Sequence, residues 1–139
     1  MSATAHDADE SGPAAHLGFK PETVIQELGW DEDVDDGLRA SIEHQTGHEL
    51  VDGEYQDVVD GVILWWREGD GDLIDALVDS LQDLVEGGGV WLLTPKVGRD
   101  GYVDNADIAE AAPVAGLTTT TTSSASTDWA ATRLASPRR

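Results

Sequence analysis

Two short apolar runs bracket an amphipathic stretch near the middle of the chain. The first is Val58-Val59-Asp60-Gly61-Val62-Ile63-Leu64-Trp65-Trp66, rich in β-branched and aromatic residues. The second is Val90-Trp91-Leu92-Leu93-Thr94. Between them Leu73, Ile74, Leu77, Val78, Leu81, Leu84 and Val85 recur at helical three-four spacing, with Asp72, Asp75, Asp79, Asp83 and Glu86 on the other side. The spacing predicts a helix over 72–86, capped by Asp70 or Asp72, with Gly87-Gly88-Gly89 releasing the chain into the next strand. Apolar run, helix, apolar run is the pattern of a βαβ crossover, because strands buried on both faces read as continuous hydrophobic runs.

The flanks extend this reading. Residues 23–28 form a strand candidate that ends at Gly29-Trp30. The acidic stretch 31–36 comes just before Leu38 and Ile42, and Val34, Leu38 and Ile42 share one helical face; carboxylates at such a start cap free amides and complement the dipole. Gly47 is the stop signal, and residues 48–51 suit a short strand. A third helix is expected over 105–112, ending near Pro113. Residues 118–124, with five consecutive threonines, read as a strand or a low-complexity spacer, and 128–135 as a final strand that pairs with it as an antiparallel hairpin. The expected fold is α/β: a single, mostly parallel, Rossmann-like sheet flanked by helices and closed by a C-terminal hairpin. Residues 1–16 read as a disordered acidic leader, 17–136 as one domain and 137–139 as a flexible tail.

Charge narrows the function classes. The chain has 139 residues, no cysteine and a formal net charge of −20. Disulfides and thiolate zinc sites are therefore excluded. Eighteen acidic and two basic residues lie between Asp31 and Gly89, whereas five of each follow from Val90 onward. Such a surface disfavours nucleic-acid backbone and anionic membranes, whose affinity comes from Lys and Arg. It suits solubility, a basic protein partner met by the acidic face, or mimicry of nucleic acid. No run reaches the roughly 20 apolar residues of a membrane span, and a cytoplasmic protein is expected.

Each catalytic template lacks a required residue. Asp31-x-Asp33-x-Asp35 resembles the start of a calcium loop, but its sixth and twelfth positions are Asp36 and Ile42 rather than glycine and glutamate. His44 and His48 are four apart with Gly47 between them and no third ligand, so no metal site is expected. Gly69-Asp70-Gly71-Asp72 follows a strand and opens a helix, the edge at which open α/β sheets bind ligands, yet it lacks a phosphate-binding lysine. Trp65 and Trp66 should point to opposite faces, as core or as cleft wall with Trp30. Lys96 and Arg99 follow another strand, placed to hold an anion or to pair with the acidic loops. The candidate lining of a strand-end cleft is thus Trp30, Asp31, Trp66, Asp70, Asp72 and Lys96, with no catalytic residue and no cofactor assigned.

The strings from Gln26 to Asp36, Leu64-Trp65-Trp66-Arg67, Gly69-Asp70-Gly71-Asp72-Leu73, Leu93-Thr94-Pro95-Lys96 and Ala109-Glu110-Ala111-Ala112-Pro113 resemble an actinobacterial family known as domain of unknown function 3052. The resemblance covers nearly all of 17–136 and implies a cytoplasmic actinobacterial protein without an established activity. The element order is also similar to the C-terminal half of Rossmann-like methyltransferases. There Glu27-Leu28-Gly29 takes the place of the glycine-rich cofactor loop, but Trp30 and acids follow instead of two further glycines. That likeness implies an S-adenosylmethionine scaffold without its binding loop. The leading expectation is a non-catalytic protein-binding or regulatory module; the alternatives are a divergent methyltransferase-like enzyme and an acidic mimic.

Overall fold

The structure is a computed structural model that describes residues 12–136. Its elements in chain order are β1 (Ile25–Leu28), α1 (Asp36–Thr46), β2 (Val59–Trp65), α2 (Leu73–Ser80), β3 (Leu84–Pro95), α3 (Asn105–Val114), β4 (Thr118–Ser124) and β5 (Trp129–Ala135). The strands form one sheet in the order β1-β2-β3-β5-β4. β1 pairs parallel with β2, and β2 parallel with β3. β5 runs antiparallel to both of its neighbours, β3 and β4.

The sheet is therefore mixed, not mostly parallel as expected. The cause is the placement of β5, which lies antiparallel beside β3 as part of the closing hairpin. A parallel connection needs a crossover of about a dozen residues or more, and only the four residues Ala125, Ser126, Thr127 and Asp128 separate the two strands. They must form the hairpin, and it inserts β5 beside β3.

Both faces of the central strands are covered, and alternate residues serve opposite layers. Val62, Leu64 and Trp66 pack with Val90 and Leu92 against Leu77 of α2 and Ile108, Ala111 and Ala112 of α3. Ile63 and Trp65 pack with Trp91 and Leu93 against Leu38 and Ile42 of α1. The two adjacent tryptophans thus point to opposite sides, and both are buried.

Capping matches the acid clusters. Asp35 accepts from the Leu38 amide to start α1, and Gly47 ends it at φ 78°. Asp72 accepts from the Ile74 and Asp75 amides to start α2. That helix stops at Ser80, six residues before the expected end at Glu86. Leu84 is already strand, paired with Val59, and the Asp83 carbonyl accepts from the Val59 amide at 2.8 Å. The glycines lie inside β3. A Cβ on Gly88 would fall 2.6 Å from Leu84 Cδ1 and 2.9 Å from the Asp60 carbonyl, so close packing excludes a side chain there.

Two further expectations change. The strand expected over 48–51 is a single parallel bridge from Val51 to Gln26. Its bonds run from the Val51 amide to the Ile25 carbonyl at 3.0 Å and from the Glu27 amide to the Val51 carbonyl at 2.7 Å. The expected leader overlaps the described residues at 12–16, where Ala14 is buried and its amide donates to Ser41 Oγ at 3.0 Å. Residues 1–11 and the expected tail 137–139 lie outside the described residues.

Candidate functional site

Val51 hydrogen-bonds to Ile25 and Glu27, whereas β2 bonds to the other edge of β1 through Val24. From β1 the chain thus travels through α1 to the outer side, then returns to the inner side as β2. This reversal is a topological switch point, and open α/β sheets bind ligands in the crevice beyond the strand ends there. A cleft of about 440 Å³ occupies that place, within the usual range for a small-molecule site. Its walls include Trp30 and Asp31 after β1, Trp66, Arg67 and Asp70 after β2, and Asp79 of α2.

Four of the six sequence-derived candidates meet in this cleft: Trp30, Asp31, Trp66 and Asp70. Trp30 is 55% exposed, an unusual position for so large an apolar surface. Trp66 is buried and lines the same cleft. Asp72 is elsewhere: it caps α2 and borders a separate depression with Asp107 and Glu110. Lys96 is also outside the cleft. Its Nζ donates to Ser124 Oγ at 2.6 Å, and its amide donates to the Asp128 carbonyl. Arg99 pairs with Asp128 at 2.9 Å rather than with the loops after Trp30 and Arg67.

Arg67 is the residue that motif reasoning did not single out. Its Nε and Nη2 donate to the two oxygens of Asp33 at 3.0 and 2.5 Å. Its Nη1 donates to the Gly29 carbonyl at 2.9 Å and reaches Asp70 Oδ2 at 3.3 Å. The guanidinium also lies 5.4 Å from the Trp129 ring. Burial works to lower the Arg67 pKa, but the bonds to Asp33 and Asp70 outweigh it and the net shift is upward. Asp33 is correspondingly lowered, chiefly by its hydrogen bond to Arg67. The cleft's cation is thus already engaged, while Asp31, Asp70 and Asp79 give the walls a net negative charge. A signal for Arg67 did exist: it is one of two bases in the acidic half.

The three spaced aspartates separate into three tasks. Asp31 Oδ1 accepts from the Glu32 amide, Asp33 holds Arg67, and Asp35 caps α1. Below the cleft, Glu27 accepts from Arg39 Nε and Nη2 at 2.7 and 2.8 Å and from Trp65 Nε1 at 2.9 Å. This network fixes the end of β1 to α1 and β2. Gly29, at φ 77°, brings the chain so close to β2 that an added Cβ would lie 2.2 Å from the Trp65 carbonyl oxygen.

That close approach bears on the cofactor of the similar fold. Glycine after the first strand can let a backbone approach a bound nucleotide. Here Gly29 faces the chain's own β2 instead, and Trp30 follows it. The residues after β1 do not build a glycine cradle for S-adenosylmethionine. The lining contains carboxylates and one engaged guanidinium, but no His, Lys, Ser, Thr or Tyr.

The solved structures that the chain is similar to include methyltransferases. An S-adenosylmethionine-dependent methyltransferase from Aquifex aeolicus aligns with a TM-score of 0.59 at 10% identity, covering 91% of this chain and 90% of that one. Another from Mesorhizobium loti aligns with a TM-score of 0.59 at 11% identity, over 88% of this chain and 95% of that one. Such likeness shows the fold alone. An uncharacterised protein of Mycobacterium tuberculosis is 49% identical over 128 residues, 92% of this chain and 80% of the relative. One of Mycobacterium bovis has the same identity and coverage. Among the described residues no helix is long and apolar enough to cross a membrane. The model of the family described as protein of unknown function (DUF3052) matches residues 14–138, and the chain belongs to that family.

Proposed function

We propose that the protein is a non-catalytic binding module on a methyltransferase-like scaffold, which engages a basic partner segment at the strand-end cleft. The observation that carries this reading is the cleft itself: an exposed tryptophan beside Asp31, Asp70 and Asp79, with the neighbouring Arg67 held by Asp33. A lysine or arginine side chain fits such walls. The indole face attracts a cation, and the carboxylates complement its charge. Apart from its carboxylates, the lining offers no side-chain nucleophile for covalent catalysis.

The test is capture of partners from lysate of the native host, with the wild-type chain and Trp30→Ala side by side. A partner held by wild type, released by salt and lost with Trp30→Ala supports the reading. Equal capture by both chains overturns it. The methyltransferase-like enzyme is the second reading, supported by the similar structures. Saturating S-adenosylmethionine raises the melting temperature of a folded state that binds it; the binding-module reading expects no shift at millimolar ligand.

A further inference from the structure

Among the described residues three cations pair with carboxylates, Lys96 bonds to Ser124, and the remaining two, Lys20 and Arg133, border one cavity. Arg39 holds Glu27, Arg67 holds Asp33 and Asp70, and Arg99 holds Asp128. Arg133 of β5 differs: among the described residues its guanidinium has no carboxylate partner. It lies instead with Cζ 5.0 Å from the centre of the Trp91 ring. Stacking engages the flat face of a guanidinium and leaves its in-plane N–H donors available.

Those donors border a cavity of about 120 Å³, lined by Lys20, Thr23, Asp60, Gly88 and Arg133 among others. The cavity lies at the amino-terminal edge of β1, β2 and β3, opposite the cleft described above. Lys20 is exposed, and its ammonium also has no carboxylate partner among the described residues. The one carboxylate in the lining, Asp60, accepts from the Val24 amide through Oδ2 at 2.8 Å, so two cations face a single anion there. Glycine packing keeps the floor low, since a Cβ on Gly89 would lie 3.6 Å from Arg133 Nε and one on Gly18 2.7 Å from its Nη1.

We propose that this cavity binds a small tetrahedral oxyanion, either inorganic phosphate or the head of a phosphate monoester. The planar fork of arginine matches two oxygens of such a group, and charge-assisted bonds of this kind are the strong ones. Lysine adds a point charge from the rim. The volume is below the roughly 300 Å³ at which drug-sized sites begin, so one oxyanion group enters and any remainder stays outside.

The experiment is a titration of the isotope-labelled full chain with sodium phosphate, against sodium chloride at matched ionic strength. The reporters are the Trp91 indole and the amides of residues 87–89. Saturable shifts with phosphate and none with chloride support the site; phenyl phosphate then shows whether a monoester also enters. Arg133→Gln should weaken binding about tenfold or more, the loss of a charge-assisted pair. Lys20→Gln should weaken it about two- to fivefold. Trp30→Ala should leave it unchanged. Shifts that match chloride, or full affinity in Arg133→Gln, would overturn the proposal. Should Arg133→Gln fail to fold, Lys20→Gln decides, and unchanged affinity in that variant overturns it.

Discussion

Gly29 shows how much one position can fix. Its positive φ and the 2.2 Å approach of an added Cβ to the Trp65 carbonyl leave no room for alanine. Gly29→Ala should cost at least about 2 kcal/mol, within the range for strained backbone, as read by urea unfolding. Glu27 bonds both Arg39 and the Trp65 indole, and only 8% of its side chain is exposed. Glu27→Ala should therefore lose about 2–4 kcal/mol, because it strands a buried donor and a partly buried charge. Glu27→Gln should lose less, since an amide oxygen still accepts from the indole; equal losses would show that the charge carries the whole effect. Neither residue's role was legible in the sequence. Their partners are 38 and 12 positions away, as for Glu27 with Trp65 and Arg39, and no local pattern encodes such contacts. Trp30, Asp31 and Asp70 were legible because strand ends and turn signals locate them directly.

At the level of elements, local chemistry was readable wherever pattern and cap agreed. β2, the starts of α1 and α2, and the closing hairpin all follow from runs, acids and short turns. The end of α2 was not readable. Leu81, Leu84 and Val85 keep the helical spacing, yet Leu84 and Val85 belong to β3. Pairing with Val59 overrides the helical stripe, and the three glycines serve strand packing instead of a break. Asp72 is a cap, so Asp72→Ala should cost about 1 kcal/mol of stability. It should leave partner capture intact. A loss of capture without a loss of stability would place Asp72 in the binding surface after all.

Over the whole molecule, charge sets the response to solvent. A net charge of −20 repels itself in the compact state, so melting temperature should rise with sodium chloride up to about 0.3 M as the screening length shortens. A flat or falling profile would contradict this. Acid acts differently at Asp33. Its folded pKa is lowered, first by the bond to Arg67, so its contribution is present above the ordinary aspartate value of about 3.9 and is lost as pH falls through the folded value. The side chain is 54% exposed, which limits that contribution to about 1 kcal/mol or less. Asp33→Asn should flatten this part of the acid limb in pH-dependent urea midpoints. Fold class and hairpin were legible at this scale, but the mixed sheet was not, because strand order depends on which partner β5 meets. The lone bridge at Val51 has a kinetic corollary. The Glu27 amide donates to Val51 and not to β2, so its deuterium uptake times the detachment of the segment after α1, independently of the sheet's own opening.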